Sequence, residues 1–85
     1  MACYNIMAVI INHRSKNAVK FQEALTKHGC KIKMRLGLHE AGDVCSEEGL
    51  IILQLAGSNE EIDALQADLN SIEGIKASNL NICSE

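Results

Sequence analysis

Between Lys31 and Gly57 the chain reads KIKMRLGLHEAGDVCSEEGLIILQLAG, and this stretch limits the possible folds more than any other. It holds two apolar runs of strand length, Ile32–Leu38 and Leu50–Ala56. The first alternates. Ile32, Met34, Leu36 and Leu38 point one way, and Lys31, Lys33, Arg35 and Gly37 the other. That is the pattern of a half-buried strand at a sheet edge, where lysines also discourage further pairing. The second run is apolar almost throughout, as expected of a central strand covered on both sides. Gln54 sets its phase: Leu50, Ile52 and Gln54 belong to an outer face, and Ile51, Leu53 and Leu55 face the helices. Between the runs lies a polar loop punctuated by Gly42 and Gly49. It carries His39, Cys45 and the carboxylates Glu40, Asp43, Glu47 and Glu48.

The flanks supply one strand and one helix on each side. Tyr4–Asn12 is a continuous apolar run, read as a strand buried on both faces. Ser15 is the expected N-cap of a helix reaching about His28, with Ala18, Phe21 and Leu25, joined by Val19, as its core stripe. Gly29 is expected to end it in the left-handed conformation. Ser58-Asn59-Glu60-Glu61 is a capping box opening a second helix, whose buried stripe is Ile62, Leu65, Leu69 and Ile72. Gly74 stops it, and Ile75–Ile82 is a more polar strand at the other edge. The order β-α-β-β-α-β gives an α+β, ferredoxin-like sandwich. Residues 1–85 form a single domain, with four antiparallel strands in the order 4-1-3-2 and two helices on one face. Two helices cover only one face, whereas the first and third strands are apolar on both. The uncovered face exceeds what a soluble monomer exposes, so a homo-oligomer, dimer or tetramer, is expected.

Composition excludes several functions. The chain has 85 residues, enough for one core with a modest stability margin. Seven of its eight Lys and Arg precede residue 36, and ten of its eleven acids follow, so a basic and an acidic segment compensate one another. Modules of this strand order that bind RNA stack bases on aromatic rings. Here the only aromatics are Tyr4 and Phe21, and the pI is about 5.5, so direct nucleic-acid binding is not expected. No apolar run approaches a bilayer span, and the first residues lack the pattern of a signal peptide. The four cysteines, Cys3, Cys30, Cys45 and Cys83, form no C-x-x-C motif. A cytoplasmic protein with reduced thiols is the expectation. No nucleophile, base and orienting group are set together in the sequence, so the chain does not read as an enzyme.

His39 and Cys45 are the candidate metal ligands, since imidazole and thiolate suit nickel, zinc or copper. On spacing alone, a solvent-facing loop histidine and a small buried cysteine are the default reading. Arg35-Leu36-Gly37-Leu38-His39-Glu40, together with Asn12-x-Arg14, Glu61-Ile62-x-x-Leu65 and Gly74-Ile75-Lys76, resembles the iron-only hydrogenase system regulator family. The resemblance implies a fold like that of ACT domains and of the C-terminal domain of nickel-responsive repressors. In those repressors a histidine on the second strand and a cysteine shortly after it bind nickel, and His39 and Cys45 match that part. Gly37 stands where a further strand histidine would be, and no DNA-binding segment is present. The resemblance thus implies a stand-alone, oligomeric, ACT-like regulatory domain that senses a small ligand or a metal such as nickel or zinc. A protein-interaction module with no small ligand is the alternative.

Overall fold

The computed structural model describes residues 2–12, 14–38 and 49–84. The elements run β1 (Cys3–Ile11), α1 (Arg14–Lys27), β2 (Ile32–Leu38), β3 (Gly49–Leu55), α2 (Asn59–Asn70) and β4 (Ile75–Cys83). All neighbours pair antiparallel in the order β2-β3-β1-β4, so the expected ferredoxin-like topology is the observed one. β1 is central because both of its faces are apolar. It pairs with β3 through Val9↔Ile51 and with β4 through Val9↔Ala77.

One face of the sheet makes the core. Met7, Val9 and Ile11 of β1, Ile51, Leu53 and Leu55 of β3, and Ile75 and Ala77 of β4 pack against both helices. Phe21 and Leu25 of α1 and Ile62, Leu65 and Leu69 of α2 complete the cluster, with Ala24, Ile32 and Ile72 at its margin. The two-residue period of β3 is as its sequence implies, with Gly49, Ile51, Leu53 and Leu55 buried and the residues between them less so.

Helix α1 departs from expectation in three ways. It begins at Arg14, so Ser15 lies within the first turn rather than at the cap. Its buried stripe is Phe21, Ala24, Leu25 and His28, while Val19 is 71% exposed and Ala18 also faces water. Val19 lies two residues from Phe21, about 160° round the helix, so a face that buries Phe21 and Leu25 turns it to water. The His28 imidazole, 6% exposed, meets Asp68 of α2 at 2.7 Å between Nε2 and Oδ2, and Lys27 reaches the same oxygen at 3.2 Å. That bond satisfies a buried imidazole, which would cost stability if left unpaired. Third, Gly29 is not a left-handed cap. It opens a 3-10 turn, Gly29–Lys31, closed by Lys31 N–H donating to the His28 carbonyl. Gly74, at φ +86°, does take the left-handed form, and a Cβ there would collide with the Asn17 amide.

Both sheet edges are modified. Asn70 at the end of α2 accepts from Ala77 N–H at 2.8 Å and donates to its carbonyl at 3.0 Å, standing in for a further strand beside β4. At the other edge the β2–β3 register slips, because Ile32 pairs with Leu55 but Met34 with Gln54. Lys33 is the extra residue of a bulge. Ile32 therefore packs on the helix side rather than with Met34 and Leu36, contrary to the simple alternation. Arg35, pairing with the buried Leu53, is on the helix side as well. It donates to Gln22 Oε1 at 2.9 Å and lies 5.6 Å from the Phe21 ring centroid.

Two outcomes are expected. Leu53→Ala empties the centre of the core and should lower the unfolding free energy by about 3 kcal/mol in urea titrations. The hydrogen bond from His28, followed by that from Lys27, holds the Asp68 carboxyl below its ordinary value. A lowered folded-state value means the stabilisation is complete above the ordinary carboxylate range of about 4 and is lost as the pH falls through the lowered value. Asp68→Asn should therefore melt earlier than wild type at neutral pH, and the gap should close in acid. A constant gap across the whole acid range would contradict this assignment.

Candidate functional site

The bulge at Lys33 has a geometric result. An in-register lysine would have joined the face of either Met34 or Arg35. As the extra residue, Lys33 instead turns toward the end of β3 and lines a concavity of about 540 Å³. The concavity lies where the start of β1, the end of β3, the start of α2 and the end of β4 come together. Asn5, Asn59 and Asn81 bring side-chain amides to it, and Cys3 and Cys83 stand at its wall.

Its rim is fixed by local chemistry. Gly57 has φ +120°, and a Cβ there would approach Glu61 Oε1 to 3.0 Å, so glycine lets β3 turn directly into the cap of α2. Ser58 Oγ accepts from Glu61 N–H at 3.2 Å, and Glu61 Oε1 accepts from Ser58 N–H at 2.9 Å. Lys31 lies 3.5 Å from the other Glu61 oxygen, and its carbonyl accepts from Ala56 N–H at 2.7 Å. The Ser58 backbone bond first, and then the Ser58 hydroxyl and Lys31, hold the Glu61 carboxyl below its ordinary value. Glu61 and Lys31 are thus committed to one another.

The basic row read from the sequence is therefore divided. Lys31 serves the cap, Arg35 packs on α1, and Lys33 alone of the three lines the concavity. On the far wall Asn5 Oδ1 accepts from Asn81 at 3.0 Å and from Asn79 at 3.3 Å, leaving buried Asn79 Oδ1 unpaired. A cation with several amides can hold a small anion that also carries hydrogen-bonding groups. The amides were missed in the sequence reading because they come from three separate elements. The Lys33 bulge has no local sequence mark, since it depends on the partner strand.

The cysteines require a correction. Cys3 and Cys83 are not reduced thiols but form a disulfide between directly opposed residues of β1 and β4. Cys30 is free and exposed. His39 and Cys45, the candidate metal ligands, lie outside the described residues, as do Glu40 and Asp43. Among the described residues no group of three or more His, Cys, Asp or Glu side chains is placed to hold a metal ion. Among them, too, no helix is long and apolar enough to cross a membrane.

No family model matches the chain, and no curated protein matches it. Solved structures do. The uncharacterized protein TM1266 from Thermotoga maritima superposes with TM-score 0.82 at 22% identity, over 96% of this chain and 100% of that one. A candidate PII-like signaling protein of Thermus thermophilus gives 0.63 at 14% identity, over 95% and 88%. CPII of Thiomonas intermedia, a nitrogen regulatory PII-like protein bound to ADP, AMP and bicarbonate, gives 0.59 at 11% identity, over 98% and 93%. At these identities the likeness establishes that the chain shares their ferredoxin-like fold.

Proposed function

We propose that this protein is an oligomeric regulatory domain that binds a small polar anion and catalyses nothing. The observation that carries the reading is the concavity lined by Lys33 together with Asn5, Asn59 and Asn81. The fold shared with a nitrogen regulatory protein bound to ADP, AMP and bicarbonate supports it, because those ligands combine negative charge with hydrogen-bonding groups. A non-catalytic role is supported by His28, which is held between the helices by Asp68 rather than offered to a substrate. Regulation of an iron-only hydrogenase system is the narrower role proposed, supported by the short matches around Arg35–Leu38, Glu61–Leu65 and Gly74–Lys76.

Assembly is proposed through the sheet face opposite the helices. Across that face the register aligns Met34, Gln54, Ile6 and Leu80 in one row and Leu36, Ile52, Ala8 and Ser78 in the next. Met34 and Leu36 are 50% exposed, Leu80 is 56%, and Tyr4 and Ile82 adjoin them at 50% and 53%. Such a contiguous apolar surface marks an association site. A second copy is the natural occupant, since among the described residues the face carries one charged side chain, Lys76, at its margin.

Ile52→Lys should yield a monomer in sedimentation velocity while leaving the helix and sheet signal unchanged, because Ile52 is outside the core. Wild type sedimenting as a monomer at micromolar concentration would remove the assembly proposal. For the ligand, thermal unfolding should be followed with ADP, AMP and bicarbonate as probes. A probe at a hundred times its Kd adds about 2.7 kcal/mol to the native state. The expected result is a higher melting temperature for wild type with at least one probe, absent in Lys33→Ala. No rise with any of the three would favour the interaction module that binds partners alone.

A further inference from the structure

Cys3 and Cys83 are 80 residues apart in sequence, yet the β1–β4 register sets them face to face, 4.0 Å apart at Cα. Just beyond them Ser84 N–H donates to the Ala2 carbonyl at 2.8 Å. Both cysteines are exposed at the wall of the concavity, on the helix side of the sheet with Asn5 and Asn81. A second copy on the opposite face would leave them open. An exposed disulfide is accessible to an attacking thiolate and is the kind that exchanges readily.

The bond also stands apart from what holds the fold. The buried part of β4 is Ile75 and Ala77, whereas Leu80, Asn81, Ile82 and Cys83 are all exposed. Beyond Asn79 the end of β4 is secured by its ladder to β1, the Asn5–Asn81 amide contact, the Ser84–Ala2 bonds and the disulfide. The disulfide thus joins two residues outside the core, at one wall of the concavity.

We propose that Cys3–Cys83 is a reversible thiol–disulfide exchange site, acted on by a dithiol protein, and that its redox state sets the order of the β4 end from Leu80 to Ser84. In the exchange a partner thiolate attacks one sulfur, the Cys3–Cys83 bond breaks, and a mixed disulfide forms. The partner's second thiol then resolves it. The cysteine pair ends as two thiols, having gained two electrons and two protons, and the partner ends as a disulfide.

The test uses the wild-type chain, folded, equilibrated in either reduced or oxidised dithiothreitol and then treated with N-ethylmaleimide. Exposed Cys30 takes label in both states and serves as the internal reference. The reduced sample should carry two more adducts than the oxidised one, mapped to Cys3 and Cys83, and reoxidation should remove them. Far-ultraviolet circular dichroism should be the same in both. Amide hydrogen exchange at Leu80–Ser84 should accelerate on reduction while Val9 and Leu53 stay protected. A disulfide that yields to dithiothreitol only when urea unfolds the chain would overturn the proposal. So would equal labelling in both states, or unchanged exchange at Leu80–Ser84.

Discussion

The structure depends on a mismatch between the sheet and what covers it. Four strands present two faces, and two helices are enough for one. β1 is apolar in both directions: Met7, Val9 and Ile11 enter the core, while Ile10 on the opposite side is 40% exposed. β3 has the same character, with Leu53 fully buried and Leu50 on the outer side 38% exposed. Alternation along a strand makes this unavoidable, since every residue added to the core side places its neighbour on the other side. Polar residues could have occupied the second face, as in many antiparallel sheets. That β1, β2 and β3 instead place Ile, Met and Leu there is the observation on which the proposed assembly rests.

The sheet was legible in the sequence because strand phase is local. Gln54 alone set the phase of β3, and the capping box from Ser58 to Glu61 marked the start of α2 to the residue. Topology followed from element order and the handedness of crossovers. Helix α1 was harder. Phe21 and Leu25 fix a stripe that continues through Ala24 toward His28, and Val19, about 160° round from Phe21, lies off it by helix geometry alone. What stayed hidden is the partner of His28, which is Asp68, forty residues away on α2. No local pattern contains that information.

The candidate site was less legible for the same physical reason. A bulge is a relation between two strands, so the alternation of Lys31–Leu38 concealed that Lys33 falls out of register. The Cys3–Cys83 pairing is likewise a property of the β1–β4 register, invisible in cysteine spacing. What the sequence showed as a row of three cations became three separate roles once the bulge and the cap had claimed their residues. The loop that carries His39 and Cys45 drew attention because its chemistry is concentrated in sequence. The concavity concentrates its chemistry only in space.

The open face and the concavity are not independent surfaces. Tyr4 and Gln54 point with the apolar rows, by the parity of β1 and β3, yet both also line the concavity. Tyr4 pairs with Ile82 across the β1–β4 register, immediately beside Cys3 and Cys83. A second copy seated on the open face would therefore cover part of the Tyr4 ring and change one side of the concavity. Loosening the β4 end would displace Ile82 from that interface. Each of the two events alters groups that the other uses, which is the condition for a coupling free energy between them. By reciprocity, a ligand bound more tightly by the assembled form must in turn favour assembly. On the two proposals together, Tyr4 is where such a coupling would be carried, since it belongs to the apolar face by strand parity and also lines the concavity.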